Sequence, residues 1–100
     1  MKHFLLIYDF DDRYVERRVG YKEAHIAHLK AAEQTGALSQ GGACMMPDGA
    51  PIGVFVFKAN DRETVEAFAK SDPYITGDVA TGWRVREWTT VIGPDATIKM

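Results

Sequence analysis

The sequence has little of several features that define large classes of protein. Its 100 residues contain one cysteine and four prolines, and positive and negative side chains nearly cancel, leaving a formal net charge of -2. One cysteine forms no intrachain disulfide, so an oxidising compartment gains no support and a cytoplasmic location is expected. Because there is no excess of positive charge, we expect neither nucleic acid nor a membrane surface as a partner.

Long hydrophobic runs and cofactor motifs are also absent. The first apolar run, residues 4–8, ends at an acidic cluster and is too short for a membrane span or a signal sequence. The sequence has no zinc-finger spacing of Cys and His, no Gly-x-Gly-x-x-Gly and no phosphate loop, so we expect no metal and no cofactor. Any chemistry therefore falls to ordinary side chains.

What the chain contains is the composition of one globular domain. Hydrophobic residues make up 46% and charged residues 26%, which is close to average usage and argues against disorder. The length also fits a single domain. We therefore expect one domain over residues 1–100, with a core at about residues 2–92 and a tail at residues 93–100.

Apolar runs and turn signals predict the element order β-α-β-β-α-β. Strands are expected at residues 3–8, 37–45, 52–57 and 83–92. A long helix is expected within residues 14–35, with its body at residues 22–34, and a second helix at residues 62–70. The second strand contains Gly41-Gly42, which predicts a sheet edge or a bulge. This order is typical of the ferredoxin-like α+β fold, a four-stranded sheet of antiparallel type with helices on one face. We expect the first and third strands to be central and to lie parallel, joined by a right-handed crossover.

The two central strands are apolar on both faces. Along residues 3–8 and 52–57, large apolar side chains occupy both alternating sets of positions. A sheet face open to water normally alternates polar with apolar residues along each strand. We therefore expect a second copy of the chain to cover the open face, giving a homodimer through the sheet faces.

His25 is the first candidate for chemistry. At about 100° per residue it shares one side of the long helix with Leu29 and Ala32, so it points at the sheet. Arg18 and Lys22 lie on the same side, towards the start of the helix. An imidazole beside cationic groups at the edge of a core suits a general base. The pattern leaves open a core histidine that is satisfied by a backbone carbonyl.

Asp72 is the second candidate. It precedes Pro73 after the second helix, where the alternative role is to stop the helix and begin a turn. A carboxylate that accepts a hydrogen bond from an imidazole fixes its tautomer and raises its basicity. Because both helices cover the same sheet face, Asp72 is able to reach His25. Tyr74 and Tyr8 are candidates for lining the pocket, with plain core residues as the alternative.

The histidine pair of the long helix and the single cysteine are further candidates for chemistry. His25 and His28 together suggest a metal pair, but no third ligand stands at a recognisable spacing, so no metal is predicted. Cys44 is interpreted as a small apolar filler rather than a nucleophile, because no basic group is expected beside it.

A set of short motifs runs through the chain in a fixed order. They are Arg18, Ala24-His25-Ile26-Ala27-His28-Leu29, Gly41-Gly42, Asp48-Gly49, Gly53, Asp72-Pro73-Tyr74, Gly77 and Trp88. With this set the sequence resembles the YciI-like (YCII-related) family of small proteins over roughly residues 2–92. The resemblance implies a dimeric α/β barrel built from ferredoxin-like protomers. It also implies an active site formed by His25 and Asp72, and elimination of hydrogen chloride from a chlorinated hydroxyhydroquinone-type aromatic.

Three features depart from the pattern of that family. Lys22 stands where the family usually has arginine, which keeps the charge but loses bidentate anion binding. Ala43 follows the glycine pair where proline is usual, and the tail after Gly93 is longer than the domain needs. These departures affect the substrate more than the fold.

The sequence therefore predicts a small cofactor-independent lyase or isomerase that acts on a hydroxylated or chlorinated ring or a related carbonyl compound. His25 is expected to move the proton, Asp72 to orient the imidazole, and Arg18 or Lys22 to stabilise negative charge on an oxygen. The alternative is a non-catalytic module that binds a small metabolite in the same cavity.

Overall fold

Four strands and four helices follow one another along the chain in an α+β arrangement. A computed structural model describes all residues, Met1–Met100. The elements are β1 (Lys2–Asp9), α1 (Tyr14–Arg17), α2 (Lys22–Gln34), β2 (Leu38–Cys44), β3 (Ile52–Ala59), α3 (Arg62–Ser71), α4 (Pro73–Thr76) and β4 (Gly82–Trp88). The predicted element order is confirmed, with α1 and α4 as short additions. None of these helices has the length and apolar character needed to cross a membrane.

The four strands form one sheet in the order β2-β3-β1-β4, and all three neighbouring pairs are antiparallel. The predicted central position of β1 and β3 is confirmed, but their predicted parallel pairing is wrong. β3 follows β2 as the second arm of a hairpin, so it runs opposite to β2. The connection through α2 gives β1 and β2 the same direction, and β3 fits between them antiparallel to both.

Local sequence signals set the ends of the two longer helices. Gly36 has a φ of 83°, a left-handed conformation that glycine adopts without strain, and it follows the end of α2. At the start of α3, the Asp61 carboxylate accepts a hydrogen bond from the Thr64 backbone N–H at 3.0 Å. Both boundaries agree with the sequence pattern, whereas β4 ends at Trp88, four residues before the predicted end of the last strand.

β2 is the edge strand that its glycines predicted. It lies outermost in the sheet, and its register against β3 shifts between Leu38 and Gln40. Gly41 faces the ring of Phe55 so closely that an added Cβ would lie 2.5 Å from the Phe55 Cδ1 atom. The glycine therefore lets a buried aromatic ring pack directly against the backbone of the edge strand.

The hydrophobic core lies on one face of the sheet. Alternate residues of β1 and β3 on this face are buried, together with Val65 and Ala69 of α3. Residues of the opposite face are only half-buried in the single chain: Leu5, Ile7, Ile52, Val54 and Val56.

The tail beyond β4 is fastened to the chain's own sheet. The Thr90 and Thr97 hydroxyls lie 2.9 and 3.1 Å from Nδ1 of His3, at the start of β1. The Asp95 carboxylate accepts a hydrogen bond from the Lys58 ammonium group at 2.8 Å. The tail is thus held at the opposite end of β1 from Tyr8.

Candidate active site

Asp72 stands at the junction of two helices. It follows the last residue of α3 and is the N-cap of α4, with extended backbone angles (φ −73°, ψ 130°) imposed by the following Pro73. Its Oδ1 accepts a hydrogen bond from the Tyr74 backbone N–H at 2.9 Å, so the side chain is turned into the core. The residue is fully buried, with an exposed fraction of 0%. A carboxylate at this depth depends on donors from the protein alone.

His25 supplies one of these donors from the middle of α2. Its Nδ1 lies 2.9 Å from Oδ1 and 3.0 Å from Oδ2 of Asp72, and its exposed fraction is 5%. Because an ionised carboxylate only accepts hydrogen bonds, the proton belongs on Nδ1. The neutral ring then carries a lone pair on Nε2. The partner of His25 is therefore this carboxylate, and not the backbone carbonyl that a core histidine would use.

Nε2 of His25 has no hydrogen-bond partner in the chain. The hydrogen bonds of this ring run through Nδ1, and no fully buried side-chain nitrogen or oxygen of the chain lacks a partner. Nε2 therefore has accessible surface although most of the ring is buried. An unprotonated nitrogen that reaches solvent, held from behind by a carboxylate, is the arrangement of a general base.

Tyr8 is placed differently from the expectation for a pocket-lining residue. It is fully buried, and its hydroxyl donates a hydrogen bond to Oδ2 of Asp72 at 2.7 Å. With no exposed surface, it offers nothing to a ligand. Burial raises the pKa of Tyr8 above its ordinary value, and the negative charge of Asp72 and the hydrogen bond to it raise this pKa further. The phenol therefore remains a donor at neutral pH.

Tyr74 stacks on the imidazole. The ring centroids of Tyr74 and His25 are 3.7 Å apart and the ring planes differ by 6°. Burial raises the pKa of the Tyr74 hydroxyl, and the positive charge of Arg18 opposes that rise. Arg18 therefore acts electrostatically on the Tyr74 hydroxyl, beside the imidazole.

Arg18 and Lys22 are the cationic groups expected near His25. The guanidinium carbon of Arg18 lies 5.4 Å from the centre of the Tyr14 ring, and none of the chain's ion pairs includes Arg18. Lys22 is exposed and forms no ion pair either. Both line a surface cavity of about 460 Å³ at the start of α2. Neither His25 nor Asp72 lines that cavity.

The other residues singled out in the sequence lie away from the His25–Asp72 pair. Nε2 of His28 lies 2.9 Å from the Phe68 carbonyl oxygen, so His28 joins α2 to α3. Cys44 is exposed on the edge strand, which corrects the expectation of a small apolar filler. No three or more His, Cys, Asp or Glu side chains gather in a group that suits a metal ion.

Sequence reasoning missed two contributions to this site. The first is the hydrogen bond from Tyr8 to Asp72. Its signal was available, because a tyrosine in the alternating buried set of β1 needs a partner for its hydroxyl. The second is Phe55, whose ring lies 6.0 Å from that of His25 and 4.9 Å from that of Tyr8. Nothing in the sequence distinguishes Phe55 from an ordinary core residue.

Comparisons with known proteins agree on the fold. The family model described as YCII-related domain matches residues 1–89. A solved structure of 5-chloro-2-hydroxyhydroquinone dehydrochlorinase (TftG) from Burkholderia phenoliruptrix AC1100, in complex with 2,5-dihydroxybenzoquinone, is similar with a TM-score of 0.71 at 19% identity. The similarity covers 87% of this chain and 94% of that one. Protein Atu4242 from Agrobacterium tumefaciens is similar with a TM-score of 0.50 at 10% identity, covering 99% of this chain and 100% of its own. A search of curated proteins finds no match.

Proposed function

The chain belongs to the YCII-related family, and from that premise we propose that it is a small cofactor-independent lyase or isomerase that works by acid–base chemistry. The observation that carries the proposal is the pair itself: His25 Nδ1 lies 2.9 Å from the buried Asp72 carboxylate, and its Nε2 has no partner in the chain. A buried histidine of purely structural use has little reason to keep one nitrogen unpartnered.

His25 is the proposed base and Asp72 the group that orients it. Nε2 takes a C–H or O–H proton from the substrate, and the electron pair released forms the new double bond. In an elimination the leaving group departs with the electrons of its own bond, so hydrogen chloride is the net loss from a chlorinated ring. Asp72 stabilises the imidazolium that forms, without itself taking the proton.

Arg18, Lys22 and Tyr74 are the proposed substrate-binding residues. Removal of the proton leaves negative charge on a substrate oxygen, and an unpaired guanidinium is well suited to stabilise it. Arg18 has no carboxylate partner and acts on the Tyr74 hydroxyl beside His25. Lys22, on the same cavity, adds a second positive charge at longer reach.

The proposed substrate class is a hydroxylated or chlorinated ring or a related carbonyl compound. The similar solved structure is that of a dehydrochlorinase in complex with 2,5-dihydroxybenzoquinone. A hydroxylated ring has the acidic protons and the oxygens that one base and one cation would act on. This chain shares the fold of that enzyme, and the substrate class is carried over as part of the proposal.

The proposed working unit is a homodimer joined through the open sheet faces. In the single chain, the apolar side chains of β1 and β3 on that face are only half-buried. Contiguous apolar patches of this kind usually mark an interface. A second copy would bury them and extend the small core of each chain.

A second candidate function is the binding of a small molecule without chemistry. The cavity of about 460 Å³ at the start of α2 is lined by two cations and one carboxylate, Arg18, Lys22 and Glu23, and neither cation forms an ion pair. Such a cavity would hold an anionic metabolite even if His25 moves no proton. The chain would then act as a binding or regulatory module.

A panel of chlorinated and hydroxylated aromatics distinguishes these candidates. Each compound is incubated with the chain, and released chloride and released protons are measured together. Equal amounts of both, formed in proportion to the protein and with saturation, support the lyase. Saturable binding across the panel with no chloride, proton or isomer formed supports the binding module instead.

A further inference from the structure

Tyr8 and Asp72 form a hydrogen bond in the interior of the molecule. The Tyr8 hydroxyl donates to Oδ2 of Asp72 at 2.7 Å, and both residues have an exposed fraction of 0%. The two residues are 64 positions apart, on β1 and at the α3–α4 junction. A charge-assisted hydrogen bond of this length in a dry environment is a strong one.

Asp72 is held by a separate donor on each of its oxygens. Oδ1 accepts from the Tyr74 backbone N–H at 2.9 Å, and Oδ2 accepts from the Tyr8 hydroxyl. His25 Nδ1 lies between them, 2.9 Å from one oxygen and 3.0 Å from the other. The Tyr74 N–H and the Tyr8 hydroxyl therefore fix the orientation of the carboxylate, and Nδ1 of His25 faces both of its oxygens.

Tyr8 itself has little freedom to move. Its ring lies 4.9 Å from that of Phe55 and 6.5 Å from that of Phe10. Opposite Tyr8 in the sheet is Gly53, where an added Cβ would approach the Tyr8 Cβ to 3.2 Å. The strand pairing and the packed rings thus hold the phenol in one orientation.

We propose that Tyr8 is a positioning residue that acts through Asp72: its hydrogen bond keeps the carboxylate aligned with Nδ1–H of His25, and so keeps the proton of the neutral ring on Nδ1 and the lone pair on Nε2. This role of Tyr8 rests on the proposed function, because Tyr8 affects the reaction rate only if His25 is the catalytic base. The effect on the imidazole is separate, since it exists in the chain without substrate. Tyr8 has no exposed surface, so it acts without touching a ligand.

The first test compares the ring nitrogens of His25 in the wild-type chain and in Tyr8→Phe by ¹⁵N NMR without ligand. Phenylalanine keeps the ring and removes only the hydroxyl. We expect the wild type to show the Nδ1–H tautomer, and Tyr8→Phe to lose part of it because the Tyr8 hydroxyl no longer holds Oδ2 in place. Tyr21→Phe is the matched control, since the Tyr21 ring packs on Gly77 at the surface and its exposed fraction is 39%.

The second test is kinetic and uses a compound that the aromatic panel identifies as a substrate. We expect Tyr8→Phe to lower kcat by about ten-fold or more while KM stays within about two-fold, because the substrate contacts are unchanged. The acidic limb of the pH–rate profile is expected to move in Tyr8→Phe and to stay in place in Tyr21→Phe.

The outcomes separate this role from the proposed function. An unchanged tautomer population in Tyr8→Phe overturns the role of Tyr8, whatever happens to the rate. A changed population with unchanged kcat supports the role of Tyr8 and contradicts catalysis by His25. If Tyr8→Phe does not fold, exchange of the Tyr8 hydroxyl proton in the wild type decides: slow exchange supports the hydrogen bond, and fast exchange overturns it.

Discussion

At the scale of single residues, Asp72 does several things from one position. It ends α3, caps α4, and accepts hydrogen bonds from Tyr8 and His25. Its burial is tolerated because each oxygen has a donor, which offsets the loss of water around the charge. The same donors that stabilise the fold therefore also prepare the imidazole for proton transfer.

Asp72→Asn tests this double use. An amide keeps the size of the side chain but presents N–H groups, so it is expected to favour the tautomer of His25 that carries its proton on Nε2. That ring has no lone pair facing the substrate, and we expect kcat/KM to fall by about 10²- to 10⁴-fold. The measurement is steady-state turnover of a compound from the panel, with circular dichroism to show that the chain is folded. Turnover equal to that of the wild type would contradict the role of Asp72.

Tyr8 leads to a prediction about alkaline pH. Its pKa is raised in the folded chain from an ordinary value of 10.0. Because the folded state holds this proton more tightly, the contribution of Tyr8 to stability is complete below pH 10 and is lost as the pH rises above that value. We expect the free energy of unfolding to fall between about pH 10 and 11, and to fall less steeply in Tyr8→Phe. Denaturant unfolding of both chains at several pH values gives the two slopes, and equal slopes would contradict the assignment.

Individual residues show which parts of the candidate site could be predicted from the sequence. His25 and Asp72 were recognisable from helix periodicity, the Asp-Pro step and the family pattern, and the structure places them in hydrogen-bond contact. Their catalytic roles stay predictions. Tyr8 was assigned to the pocket because periodicity locates a buried side chain but not the partner of its hydroxyl, which comes from a distant part of the chain. The filler interpretation of Cys44 is wrong although Gly41-Gly42 predicted an edge strand, because a free cysteine is usually buried and this one is exposed.

At the scale of elements, the edge strand approaches the core through a glycine. An added Cβ at Gly41 would lie 2.5 Å from the Phe55 ring, whose exposed fraction is 3%. A buried ring cannot move aside freely, since it packs against Tyr8 at 4.9 Å. The Phe55 ring thus contacts the edge strand on one side and Tyr8, which donates to Asp72, on the other.

Gly41→Ala and Gly42→Ala form a matched pair of substitutions in this strand. Gly41→Ala is expected to destabilise the chain by about 1–3 kcal/mol through overpacking against Phe55. Gly42→Ala, where nothing of the single chain lies within 4 Å of the added Cβ, should destabilise the chain less. Thermal or denaturant unfolding measures both. Equal effects of the two substitutions would show that the contact with Phe55 is not the cause.

The elements also show why one part of the topology was mispredicted. The apolar runs of β1 and β3 marked them as central strands, because only central strands are covered by others on both sides. Strand direction depends instead on the connections, and the hairpin from β2 reverses β3 with respect to β1. The short helix α4 was missed because a single turn after Pro73 has no hydrophobic period to reveal it.

At the scale of the whole molecule, we expect two chains to form a homodimer through their open sheet faces. We expect sedimentation to give the mass of two chains at micromolar concentration. Val54→Arg should give the mass of one chain, because it places a charge in the middle of the open sheet face. Ile26→Arg, an equivalent change at an exposed position of α2, should leave the dimer intact. A wild-type mass of one chain would contradict the proposed assembly.

The central claim is that His25 moves the proton, and the most direct measurement compares turnover and binding in His25→Ala. The substrate is the compound from the panel that the wild type converts fastest, and binding of the same compound is measured in parallel. His28→Gln, on the same helix but bonded to the Phe68 carbonyl, is the control. We expect His25→Ala to lose about 10²- to 10⁴-fold in kcat and still to bind the compound, while His28→Gln keeps its turnover. Undiminished turnover in His25→Ala would contradict the central claim.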